Sequence, residues 1–204
     1  QKKKLIKVVQ HDLRKWAHDK HNRVDDTPYG GGPGMVIRVD VVHRALKALI
    51  KKKSSSTRVV LLSPRGETFD QRTAKRLASY KRIVLIAGRY EAIDARVDRY
   101  IDEKISIGNF VLTGGELAAA CVVDAVSRLQ KGVLGKAASL EQESFSHFEN
   151  KRTNIEYPQY TRPPKFFPEK LGRARPKVWR VPKVLLSGNH KRIEEWRKKY
   201  GKSI

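Results

Sequence analysis

The chain has 204 residues, 39% of them hydrophobic, and 44 Lys and Arg against 21 Asp and Glu, for a net charge of +23. That is apolar material for one sizeable core and a small second lobe. No apolar run nears the ~20 residues of a membrane span, so a membrane partner is not expected, and the surplus of cations points to a polyanion, nucleic acid first.

Neither a signal peptide nor a transit pattern opens the chain, and a first residue of Gln1 rather than Met points to a natural start upstream. Leu5–Val9 reads as a strand. Between Asp12 and Asp26 lie His18, His21, Asp25 and Asp26, donor types for a divalent metal. Without a cysteine partner or an HExxH spacing, the expectation is a polar loop beside a nucleic-acid groove and no metal site. "PYGGGPGM" (Pro28–Met35) has no strand immediately before it and no Gly-Lys-Ser/Thr after it. It reads as a tight loop where backbones cross closely, with direct ligand or RNA contact as the alternative.

Val39–Lys52 has apolar residues at helical spacing; Ser56–Ser63 is a buried strand; Asp70–Tyr80 is a helix. Arg82–Gly88 and Glu103–Gly108 are further strands, and Gly114–Gly132 is an Ala-rich helix closed by glycine. Strands separated by helices argue α/β with a parallel sheet. Cys121, the only cysteine, falls in the apolar pattern of that last helix. Read as buried, it excludes an internal disulfide and fits the cytoplasm.

After Gly135 the pattern changes. Residues 135–153 are polar and weakly periodic, a linker or mobile loop between a first domain (1–134) and a C-terminal lobe (154–204). From Lys151 onward there are 16 Lys and Arg against 4 Glu. Asn189–Tyr200 reads as a helix capped by Ser187 or Asn189. A basic lobe this small needs something else to pack against.

Three loops follow strand ends: Leu62–Phe69, Ala87–Asp94 and Ser106–Leu117. All carry glycine, and all would lie on the carboxyl edge of a parallel sheet, where α/β proteins bind ligands. Together they describe a pocket built largely of backbone, suited to a nucleoside-like ligand. No GxGxxG spacing supports a dinucleotide site. No Ser/His/Asp or Cys/His set stands out, and Arg128 and Glu143, taken alone, read as an ordinary solvated pair.

The strings "VDDTPYGGGPGMV", "LLSPRGETFDQ", "LIAGRYEAIDARV", "SIGNFVLTGGELAA", "VLG", "EYPQYTRP" and "VLLSGNHKRIEEWR" occur in that order. As an ordered set from about His11 to Arg197, they closely resemble the bacterial tRNA (guanine-N1)-methyltransferases, the TrmD family of the SPOUT superfamily. The resemblance implies an α/β body with a deep trefoil knot and a basic helical C-terminal lobe. It implies a homodimer that binds S-adenosylmethionine and methylates N1 of guanosine-37 beside the anticodon of tRNA, not DNA. Carried over by motif, the cofactor residues are Leu62, Ser63, Pro64, Gly66, Gly88, Tyr90, Glu91, Ser106, Ile107, Gly108, Leu112, Gly114 and Gly115. The catalytic pair would be Arg128 and Glu143, the latter standing where the family usually has Asp. RNA contacts fall on Gly34, Ser139, Tyr160 and Arg162, with Trp179 in the basic tail that would grip the stem-loop. The resemblance leaves open whether turnover needs Mg2+.

Several positions depart from the family pattern: Asn109 replaces a common Asp and Ala118 a frequent Pro, and the linker is longer than usual. The family's first strand and helix and its last helices are expected to be missing, which would narrow the sheet. Two rival readings remain beside the enzyme: an RNA-binding protein that keeps the fold without the chemistry, and a SPOUT methylase with another RNA target.

Overall fold

Four consecutive apolar residues, Val59 to Leu62, set the architecture. Neighbours in a strand point to opposite faces, so the run needs cover on both. The structure, a computed structural model, describes residues 5–89, 92–134, 143–145, 148–149, 152–168 and 178–203. In it the run lies in β3 (Thr57–Thr68), following two short strands, β1 (Asp25–Asp26) and β2 (Val36–Ile37). Val60 and Leu62 enter one buried cluster with Leu77, Ile105 and Val122, and Val59 and Leu61 enter another with Val42, Leu46 and Val97.

β4 (Arg82–Ala87) and β6 (Glu103–Ser106) flank β3, both parallel to it, in the order β4-β3-β6. Helix α1 (Val39–Leu49) covers the second cluster through Val42 and Leu46. Helices α2 (Gln71–Ala78) and α3 (Glu116–Ser127) cover the first. The start of α2 is fixed by Asp70, whose carboxylate accepts the Thr73 N–H at 2.7 Å. β1 and β2 form a small sheet with β5 (Ala92–Ile93), which runs parallel to β2.

The chain divides into two compact units, Gln1–Gly135 and Lys136–Ile204. The second holds β7 (Phe148–Glu149), β8 (Arg152–Ile155), β9 (Lys165–Phe166), β10 (Trp179–Arg180), α4 (His190–Tyr200) and β11 (Lys202–Ser203). β7 and β11 flank β8, and β9 pairs with β10, all antiparallel. Asn189 caps α4 by accepting the Arg192 N–H. No side chain described in this unit is buried; Trp196 packs instead against Tyr157, Tyr160 and Tyr200.

Four expectations change. Leu5–Val9 forms no strand: among the described residues no ladder partner lies beside it, and Val8 and Val9 are exposed. Part of the region read as linker is the β7–β8 hairpin. Among the described residues, no other segment comes within 4 Å of where side chains at Gly30, Gly31 and Gly32 would begin, so the loop is not shaped by a crossing backbone. These glycines are needed because φ lies between +79° and +114° at all three. Cys121 is exposed, since α3 turns Ala118, Val122 and Val126 to the core and leaves the Cys121 side outside.

Candidate active site

The three strand-end loops lie together at the carboxyl edge of the β4-β3-β6 sheet. Leu62 on the central strand pairs with Ala87 on one side and Ile105 on the other. Both Leu62 and Glu67 lie opposite Ile105, so Ser63 to Gly66 bulge out of the ladder. β3 therefore runs on to Thr68 through what the sequence presents as a loop. The bulge is braced by the Ser63 hydroxyl, which accepts the Arg65 N–H at 3.2 Å. Phe69 N–H then reaches the carbonyl of Ser106 at 2.7 Å, tying the first loop to the third.

The second and third loops meet through glycine. Gly115 N–H donates to the Gly88 carbonyl at 2.7 Å, and Arg89 bridges Gly114. A side chain at Gly115 would begin 3.0 Å from the Ala87 Cα and the Gly88 nitrogen, tighter than backbone can accommodate without moving. Ser106 is buried; its hydroxyl accepts the Gly108 N–H and donates to the Gly108 carbonyl. Ile107 and Leu112 pack on the core below. Arg89 Nε donates to Glu116, joining the second loop to the start of α3, and this hydrogen bond holds the Glu116 carboxyl below its ordinary range. Sequence reasoning passed over this ion pair, although each partner directly follows a glycine of the motifs. Tyr90, Glu91 and Ser139 lie outside the described residues.

An open cleft of about 600 Å³ adjoins the bulge at Gly66. It is lined by Arg58, Arg65, Arg76, Tyr80, Glu103 and Lys104. Arg76 and Arg58 both donate to Glu103 and hold its carboxyl below the ordinary range. The sequence gives no sign of this cluster, because its members come from β3, α2 and β6. It shares only Gly66 with the expected cofactor residues.

Arg128 sits at the carboxyl end of α3, its N–H bonded to the Asp124 carbonyl at 3.1 Å. It belongs to the first unit and Glu143 to the second. Asn154 grips the backbone from Glu143 to Phe145 twice: its side-chain amide donates to the Glu143 carbonyl at 3.0 Å, and its main-chain carbonyl accepts the Phe145 N–H at 2.7 Å. Gly34 lies in the glycine loop at φ +85°. Tyr160 and Arg162 are exposed in the second unit. Among the described residues, no three His, Cys, Asp or Glu side chains gather as metal ligands, and no helix is long and apolar enough to cross a membrane.

Comparison with known proteins gives this geometry its context. A family model described as tRNA (Guanine-1)-methyltransferase TrmD matches residues 1–203. A tRNA (guanine-N(1)-)-methyltransferase of Dehalococcoides mccartyi is 47% identical over 198 residues, 97% of this chain and 74% of that protein. Proteins of the same name from Citrifermentans bemidjiense (47% identity) and Anaeromyxobacter dehalogenans (48%) match over 97% and 96% of the chain, and 73% of each relative. The chain belongs to the tRNA (guanine-1)-methyltransferase TrmD family.

Proposed function

We propose that this chain transfers a methyl group from S-adenosylmethionine to N1 of guanosine-37 in tRNA, acting as a homodimer with a SPOUT-type knotted fold. The observation that carries the reading is the meeting of three strand-end loops around Gly88, Ser106 and Gly115, in a chain of this family. Small residues, a buried serine and main-chain amides and carbonyls suit an adenosine that is read by backbone hydrogen bonds. The loop residues from Leu62 to Gly66, Gly88 and Ser106 to Gly115 would hold the cofactor, with Tyr90 and Glu91 assigned by motif. The contact of Gly115 with the Gly88 backbone supports a path in which one segment threads closely past another.

Bound S-adenosylmethionine supplies an electrophilic methyl on a sulfonium. Guanine N1 carries a proton at neutral pH and is a weak nucleophile until that proton leaves. The Glu143 carboxylate would take that proton, leaving N1 nucleophilic toward the methyl group. The negative charge that loss of the proton leaves on N1 and O6 would be met at O6 by a hydrogen bond from Arg128. Holding donor and acceptor in line is the larger share of the task. In the homodimer that the family resemblance implies, Glu143 would act from a second copy of the chain. An apolar surface supports it: Leu117 on α3 is 64% exposed and Val111 just before it 97%.

The test is methyl transfer to transcripts carrying guanosine or adenosine at position 37, beside calorimetric titration with S-adenosylhomocysteine. Label on the guanosine transcript alone is expected. Label on both would move the reading to another RNA target, and no cofactor binding would leave an RNA-binding protein. Glu143→Gln should lose about a hundredfold or more in turnover while still binding S-adenosylhomocysteine; wild-type turnover in that variant would remove Glu143 as the base. Retained activity in EDTA would show that turnover needs no Mg2+.

A further inference from the structure

The second unit carries an aromatic surface that neither the cofactor loops nor the catalytic pair uses. β9 and β10 form a two-stranded ribbon in which Trp179 lies directly opposite Phe166 and Arg180 opposite Lys165. Directly opposed residues share a face, and neighbours along a strand take opposite faces. The ribbon therefore has one aromatic side, Phe166 with Trp179, and one cationic side, Lys165 with Arg180.

The two rings touch, with centroids 5.7 Å apart at a tilt of 38°. That contact braces the ribbon but covers only part of each ring. Trp179 remains 60% exposed and Phe166 48%, and the adjoining Phe167 is 71% exposed. The Trp196 group of the same unit differs at its centre: Trp196 is half-buried among Tyr157, Tyr160 and Tyr200, and Arg197 stacks over Tyr157 at 5.0 Å. The ribbon is thus an unfilled aromatic surface in a segment where cations outnumber carboxylates four to one. A protein partner would have to neutralise that charge, whereas a single-stranded nucleic acid brings both a flat base for the ring and a phosphate for the cation.

We propose that the β9–β10 ribbon is a stacking platform for unpaired nucleotides of an RNA loop, with Trp179 and Phe166 holding a base and the cations of the surrounding segment its phosphates. Paired bases cannot be reached in this way, because they are already stacked and the deep groove of an RNA duplex is closed to side chains. The platform therefore selects a loop over a stem. It rests on the tRNA reading above for its natural substrate, but not on the chemistry at Glu143.

Fluorescence anisotropy of the full chain with two labelled RNAs tests it: a stem closed by an anticodon-sized single-stranded loop, and the same stem as a blunt duplex. Trp179→Leu and Phe166→Leu should each weaken stem-loop binding by about tenfold and leave duplex binding within about twofold. Trp179→Phe, which keeps a ring, should retain most of the stem-loop affinity. Unchanged stem-loop binding in the Leu variants, or equal losses on both RNAs, would overturn the platform. So would a wild-type chain that self-associates without RNA and stops doing so in the Leu variants, which would assign the rings to a second copy. S-adenosylhomocysteine binding reports on the fold of the first unit, and duplex binding kept within about twofold reports on the fold of the second. The two proposals fail separately: wild type that methylates guanosine-37 with ring-independent binding sinks only the platform, and ring-dependent loop binding without methyl transfer sinks only the enzyme reading.

Discussion

A methyl group at Gly66 would overlap the main chain of Lys104 and Ile105, so this position is closed to every other residue. Gly66→Ala must push the bulge away from β6, at about 1–3 kcal/mol for overpacking. A lower melting temperature together with weakened S-adenosylhomocysteine binding is expected. An unchanged titration would place the cofactor away from this bulge. The crowding could not be read from the sequence, which offers "SPRGE" as a simple turn. The glycines at strand ends were legible because both a tight turn and a close neighbour demand them, but which demand applies depends on what lies across the gap. At Gly30 to Gly32 it is torsion; at Gly66 and Gly115 it is space.

At the scale of elements, the Arg58–Glu103–Arg76 group joins β3, β6 and α2 through one carboxylate. Glu103 is held below its ordinary pKa by the Arg76 hydrogen bond foremost and by Arg58, against the cost of burial. A carboxyl depressed by folding stabilises the native state above its unfolded pKa and loses that contribution as pH falls through the folded value. The contribution is therefore intact at neutral pH and fades below the ordinary value of 4.5. Melting temperature followed from pH 7 to pH 3 should fall less steeply in Glu103→Gln than in wild type, and that variant should start about 1–3 kcal/mol less stable at neutral pH. Parallel slopes would show that the pair is not linked to folding. The strands and helices of the first unit were legible because their apolar periods differ. The face that α3 buries was not, because "LAAACVV" is apolar all round and a helix of that kind gives no direction. Hence Cys121 was placed on the wrong side.

For the whole molecule, the exposed Leu117 and Val111 bear on assembly. Both are apolar, both lie in the first unit, and neither is needed by its core. In a dimer closed by this surface, Leu117→Lys would bury an unpaired charge. Sedimentation should show wild type as a dimer and the variant as a monomer with lost methyl transfer; a dimeric variant would move the interface elsewhere. Charge was the whole-molecule property most legible in the sequence. It pointed to nucleic acid before any motif did, but charge has no address, and the ribbon register shows where two bare rings stand among the cations.

The double grip of Asn154 has a kinetic consequence. With the Glu143 carbonyl and the Phe145 N–H both bonded to Asn154 of β8, the main chain from Glu143 to Phe145 is set against its neighbouring strand before substrate arrives. What remains to be found is a setting of the Glu143 side-chain torsions, a rotamer choice made in picoseconds to nanoseconds instead of a loop rearrangement lasting nanoseconds to microseconds. In the proposed reaction the extra methylene of a glutamate then costs little waiting time, because side-chain torsions are all that separates the acid from its working position.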